Sequence, residues 1–96
     1  MDKEQQEELA LLSKALAHPH RLEIIRLLNS LPGQERCMVG NLVEQLPISQ
    51  ATVSQHLKVL KEAGWIKGII EGPRVCYCLK KGVFARYKRL LRDLQE

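Results

Sequence analysis

Three cysteines, Cys37, Cys76 and Cys78, are the side chains of this 96-residue chain best suited to hold a soft ion or to change redox state. Cys76 and Cys78 sit in a run rich in strand formers, Val75-Cys76-Tyr77-Cys78-Leu79. Residues two apart on a strand share a face, so the two thiols are expected side by side, with Val75, Tyr77 and Leu79 turned the other way toward a core. A disulfide between them is unfavourable. Their Cα atoms would be about 6.6–6.8 Å apart on a regular strand, at the upper edge of the roughly 4.4–6.8 Å that disulfides tolerate. An ion bridging two sulfurs removes that demand. If Cys37 lies in a short strand beside the pair, the three thiols converge into a trigonal site suited to a thiophilic ion such as arsenite. The same residues also suit a redox or persulfide switch, or simply small apolar packing. Catalysis is a poor fit: the only nucleophile and base candidates are these thiols with His18, His20 or His56, and no catalytic motif surrounds them. The chain reads as a non-enzyme that requires no cofactor.

A second group of residues carries a different chemistry. Ser49, Gln50, Thr52, Ser54, Gln55 and Lys58 fall on or beside one helix, Gln50–Ala63, whose apolar positions Val53, Leu57 and Leu60 repeat at helical spacing. Amides and hydroxyls read base edges: Gln can pair with adenine through two hydrogen bonds, Ser and Thr serve bases or phosphates, and Lys58 reaches guanine or the backbone. His56 is expected to pack inward. Arg74, at the tip of a β-hairpin after the helix, suits a minor-groove or phosphate contact.

The rest of the chain must position these groups. Residues 5–17 form an amphipathic helix through Leu9, Leu12 and Leu16, with Leu11 and Ala15 beside them. His18-Pro19-His20 interrupts it and starts a second helix, whose stripe of Leu22, Ile24, Ile25, Leu27, Leu28 and Leu31 ends at Pro32-Gly33. Residues 35–38 are a short extended candidate. A two-turn helix over 39–46 then stops at Pro47, and Pro47-Ile48-Ser49 joins it to Gln50–Ala63. So short a connection forces a steep crossing, which is the helix-turn-helix arrangement. Ser49 is its expected N-cap and Gly64 its left-handed stop. Two short strands, 65–70 and 75–79, flank the turn Glu71-Gly72-Pro73-Arg74. A last helix over 83–94 carries Val83, Tyr87, Leu90, Leu91 and Leu94. The fold class is therefore mainly α with a small β-hairpin wing, a winged helix-turn-helix: two helices, a short strand, two helices, the hairpin and a final helix.

Charge follows the same division. Residues 49–92 carry Lys58, Lys61, Lys67, Arg74, Lys80, Lys81, Arg86, Lys88, Arg89 and Arg92 against only Glu62 and Glu71, within a chain of formal net charge +4. Clustered cations favour a polyanionic partner through counterion release. No apolar run approaches the ~20 residues of a membrane span. The N-terminal Met-Asp-Lys-Glu-Gln-Gln-Glu-Glu-Leu is unlike a secretory signal. Few cysteines, odd in number, favour a reducing compartment, so a cytoplasmic protein without membrane contact is expected.

The stretch Ile48-Ser49-Gln50-Ala51-Thr52-Val53-Ser54-Gln55-His56-Leu57-Lys58-Val59-Leu60-Lys61-Glu62-Ala63-Gly64, followed by a wing containing Tyr77, resembles the arsenic-repressor (ArsR/SmtB) family of winged helix-turn-helix transcriptional regulators. The Ala-His-Pro-His-Arg-Leu-Glu-Ile-Ile stretch is similar to the second-helix signature of that family, so the resemblance covers roughly residues 9–94. It implies a homodimer built on the first and last helices (9–17 and 83–94), binding an inverted-repeat operator in double-stranded DNA as a repressor and leaving it when an inducer binds. The expected layout is one DNA-binding domain over 1–96, with the helix-turn-helix at 39–63 and the wing at 65–79. The chain departs from the family where inducers often bind. Met38 and Gly40 stand at the positions of the family's Cys-x-Cys pair, and residues 83–96 hold no His and one Asp, Asp93, where other members draw zinc ligands. A winged helix that binds a protein partner, without an inducer, is the alternative.

Overall fold

A computed structural model describes residues 1–30, 37–38 and 44–96, with the side chains of residues 37, 38, 71 and 74 outside the description. Four helices and a three-stranded antiparallel sheet are placed in the order α1 (Lys3–Leu16), α2 (Pro19–Ser30), β1 (Cys37–Met38), α3 (Gln50–Ala63), β2 (Ile66–Glu71), β3 (Arg74–Leu79) and α4 (Val83–Gln95). Most of the helix expected over 39–46, together with Leu31 and the Pro32-Gly33 stop, lies outside the described residues; Glu44 and Gln45 are helical. Leu46 is buried in the core and Ile48 packs against it.

Local chemistry explains the helix boundaries. Asp2 caps α1 in a reciprocal box: its carboxylate accepts from the Gln5 N–H at 2.8 Å, and the Gln5 side chain accepts from the Asp2 N–H at 2.9 Å. His18 caps α2 with a single bond from a ring nitrogen, Nδ1 accepting from the His20 N–H at 3.1 Å. At the start of α3 the Ser49 hydroxyl accepts from the Thr52 N–H at 3.2 Å. Gly64 ends that helix at φ +97°, where its N–H and that of Trp65 turn back to the last-turn carbonyls.

The core joins all four helices to the base of the hairpin through Leu9, Leu12, Ile24, Ile25, Leu28, Val53, Leu57, Leu60, Trp65, Ile66 and Leu90. Burying a side chain of this size stabilises the fold by about 1.5–3 kcal/mol before entropy is counted. The helical stripes are narrower than their sequence pattern. Leu11, Leu22, Leu91 and Leu94, expected among the apolar rows, are exposed. Polar ties supplement the α1–α4 contact: Ser13 Oγ and Tyr87 OH are 2.8 Å apart, and Arg86 pairs with both carboxylate oxygens of Glu8 at 2.6 and 2.9 Å.

In the sheet β3 is central, between β1 and β2. The hairpin closes with Glu71 opposite Arg74, leaving Gly72-Pro73 as a two-residue turn. Gly72 takes φ +62°. A positive φ there, followed by proline with its fixed negative φ, is the type II′ pattern that suits the strand twist. Further down, Gly68 faces Tyr77, and a Cβ at Gly68 would stand 3.3 Å from the Tyr77 ring. The missing side chain lets that ring lie over the strand while Tyr77 packs against the core.

Candidate nucleic-acid interface

Helix α3 has two faces of opposite character. Val53, His56, Leu57, Leu60 and Ala63 are buried, which fixes the rotation of the helix about its axis. That rotation leaves Gln50, Thr52, Ser54, Gln55 and Lys58 exposed together. Ser49 and Thr52 are partly engaged, their hydroxyls 3.0 Å apart at the helix start. Among the described residues, the side chains of Gln50, Ser54, Gln55 and Lys58 have no intramolecular hydrogen-bond or ion-pair partner. Such a face retains its full donor and acceptor capacity for a base edge or a phosphate.

The wing begins one residue after α3. Because Gly64 alone separates Ala63 from Trp65, and the Trp65 indole donates to the Leu12 carbonyl at 2.9 Å, the hairpin leaves the helix at a fixed angle. Arg74 stands at the first paired position after the turn, as expected for a tip residue. Exposed Arg86, Lys88, Arg89 and Arg92 line α4, so the C-terminal half keeps its basic character at the surface. Of these, Arg86 is partly neutralised. The Arg86 guanidinium, bonded to the Glu8 carboxylate, holds that carboxyl below its usual range.

The thiols are arranged differently from the sequence expectation in two respects. Cys76 and Cys78 do share one row of β3, and neither is in a disulfide. Cys76, however, is 4% exposed, whereas Val75, expected inward, is 40% exposed because it lies beyond the helical layer near the turn. Strand β1 forms where an extended segment was expected, and its register pairs Cys37 with Tyr77 and Met38 with Cys76. Partners across a ladder lie on one face, so the position of Cys37 belongs to the Tyr77 row rather than to the row of Cys76 and Cys78. The register therefore lends no support to a convergence of all three sulfurs.

One cluster escaped the sequence reasoning, which weighed its members singly, as catalytic bases or, for His56, as an inward-packed side chain. His18 and His20, at the N-terminus of α2, meet His56 on the inner face of α3, with ring centres 4.5 Å (18–56), 5.2 Å (18–20) and 5.8 Å (20–56) apart. Arg21 closes the group. Its Nε donates to the Ala15 carbonyl and its Nη1 lies 3.3 Å from His56 Nδ1. Burial, followed by the nearby His18, Arg21 and His20, lowers the pKa of His56. The available signals were a histidine flanking each side of a helix-starting proline and a third at an inward position of α3.

Comparison with known proteins agrees with this geometry. The family described as "Bacterial regulatory protein, arsR family" matches residues 18–67. The biofilm growth-associated repressor of Agrobacterium fabrum is 40% identical over 79 residues, 82% of this chain and 64% of the relative. The transcriptional repressor SmtB of Mycobacterium tuberculosis is 44% identical over 68 residues, 71% of this chain and 47% of the relative. The chain thus spans less than two thirds of either relative's length. Among solved structures, the homodimeric winged helix-turn-helix DNA-binding domain of Mb0332 from Mycobacterium bovis superposes with a TM-score of 0.73 at 28% identity, covering 94% of this chain and 80% of that one. The relatives are regulators of transcription, not enzymes. Family match, relatives and fold agree: this chain belongs to the arsR family of bacterial regulatory proteins and has their winged helix-turn-helix architecture.

Proposed function

We propose that the chain is a cytoplasmic, homodimeric transcriptional repressor that binds an inverted-repeat operator in double-stranded DNA. In this reading one domain spans 1–96, with the helix-turn-helix at 39–63 and the wing at 65–79. Gln50, Thr52, Ser54, Gln55 and Lys58 enter the major groove, Ser49 adds a contact at the helix start, and Arg74 reaches the flanking backbone or minor groove. The observation that carries the proposal is the exposed polar face of α3, where the side chains of Gln50, Ser54, Gln55 and Lys58 have no partner among the described residues, next to the hairpin that carries Lys67 and Arg74. Dimerisation draws on the apolar side chains that α1 and α4 leave in solvent, Leu11, Leu91 and Leu94. Two recognition helices related by a two-fold axis would read half-sites about 34–36 Å apart. The homodimeric Mycobacterium bovis relative supports this assembly.

The test compares a specific with a random duplex. Gln55→Ala should cost about 1–3 kcal/mol on the operator and leave non-specific binding nearly intact. Equal losses on both duplexes would show that Gln55 reads no base. A module that binds only a protein partner predicts no salt-dependent shift of either duplex.

For release from DNA, the row of Cys76 and Cys78 supports a thiol-directed inducer, arsenite or another thiophilic ion; Cys37 is on the neighbouring strand but in the row of Tyr77. A ligand bridging sulfurs on β3 would act on the wing itself. Replacing all three cysteines by serine should abolish arsenite-driven release in a fluorescence-anisotropy titration while DNA binding persists. Release by peroxide or persulfide but not arsenite assigns the thiols to a redox switch instead.

A further inference from the structure

We infer that His18, His20 and His56 form a three-imidazole site for one divalent borderline metal ion, of the Zn2+, Co2+, Ni2+ or Cu2+ class, seated between the N-terminus of α2 and the inner face of α3. One donor atom from each ring lies within 4.8 Å of the others. Imidazole nitrogens about 2.0–2.1 Å from a tetrahedral ion stand about 3.4 Å from one another, with their ring centres about 5.3 Å apart. The observed ring spacings of 4.5, 5.2 and 5.8 Å bracket that value. Side-chain rotations that bring the nitrogens together by up to about 1.4 Å complete the geometry. His18 and His20 are only half-buried, so water can take the fourth position.

The donor set selects the ion. Three neutral nitrogens, with neither carboxylate nor thiol in the cluster, suit borderline divalent ions. They are a poor set for calcium or magnesium, which prefer oxygen, and for arsenite, which prefers sulfur. This separates the site from the thiol row on β3, and the inference does not rest on that row.

Two rings already use a lone pair. Nδ1 of His18 accepts from the His20 N–H, and Nδ1 of His56 faces the Arg21 guanidinium, which can only donate. An ion either takes these lone pairs directly or takes the opposite nitrogens after the ring protons move to Nδ1. Both contacts are lost in either case. Arg21 also holds a positive charge beside the ion, though its Nε stays bonded to the Ala15 carbonyl at the end of α1. Arg21 is thus a competitor for the site, and this sets a readout that simple packing of three rings does not share.

Cobalt(II) and zinc titrations of the intact protein, followed by absorption and calorimetry, test the inference. One ion per chain should bind and give weak visible bands without the near-ultraviolet band of thiolate-to-cobalt charge transfer. Since losing an outer-shell partner already costs 10–100-fold in affinity, His20→Ala should weaken binding by at least about 100-fold. Arg21→Gln should tighten it. In case a variant fails to fold, nuclear magnetic resonance of the wild type supplies a second measurement: cobalt(II) should shift or broaden the imidazole signals of all three histidines. Unchanged affinity in folded His20→Ala, a thiolate charge-transfer band, or histidine signals indifferent to cobalt would each overturn the site.

Discussion

The two ends of the hairpin are built on opposite principles. At its base Trp65 and Ile66 are almost wholly buried, the indole is bonded to α1, and the Lys80 N–H donates to the Trp65 carbonyl at 3.0 Å. The rings of Phe84 and Tyr87 stand 5.4 and 5.2 Å from the Trp65 ring, within the range of favourable aromatic contact. Near the tip, cross-strand partners Ile70 and Val75 are 80% and 40% exposed. Beyond the helical layer the strands are held chiefly by their own ladder. The contrast shows where the wing gets its direction. Its aim is set at the base by packing on three helices, so the tip can carry residues chosen for a partner rather than for stability.

The largest expected effect lies at the base. Trp65→Ala should destabilise the protein by about 3–5 kcal/mol, as removal of a fully buried aromatic does; urea denaturation measures it. A loss below about 1 kcal/mol would mean that the base is no better anchored than an ordinary surface site. The next effect belongs to the tip and concerns binding alone. Arg74→Ala should leave the urea midpoint in place and lower the slope of log affinity against log salt by about one unit. An unchanged slope removes the wing from the interface. Ile70→Thr probes the tip directly. Its side chain is largely in solvent, so stability should change by no more than about 0.5 kcal/mol. The smallest effect is ionic. The Glu8 pKa is lowered by Arg86, so the contribution of this pair is complete above the ordinary value of 4.5 and fades as the pH falls through the lowered one. Both side chains are exposed, and a thermal scan should show only a slight decline over that range. A steep decline tied to Glu8, absent in Glu8→Gln, would mean that ions rather than apolar packing fasten α1 to α4.

Some of this was legible in the sequence because the signals are local. Ser49, the apolar spacing of Val53, Leu57 and Leu60, and Gly64 define α3 to the residue. Gly72-Pro73 marks the hairpin turn just as directly. The misreadings involve relations between distant segments. Periodicity places Leu11, Leu22, Leu91 and Leu94 near an apolar face, but the width of the stripe that a neighbour covers depends on packing, and these four fall outside it. Alternation correctly put Cys76 and Cys78 in one row, yet only the register with β1 reveals that Cys37 stands opposite Tyr77. The histidine cluster was hidden for the same reason. Its third member is 36 positions from His20 and becomes a neighbour only when α2 packs on α3.

Trp65 is the only tryptophan in the chain, and it sits one residue beyond the left-handed joint that ends α3. Its environment gives the protein a built-in optical gauge. A dry indole bonded to a carbonyl should emit at short wavelength, and that colour depends on the joint rather than on the tip. Binding that only bends the tip will leave the emission unchanged, whereas an inducer that loosens the hairpin from α3 will shift it to the red. Intrinsic fluorescence can therefore separate re-aiming of the wing from its unfastening without any added label.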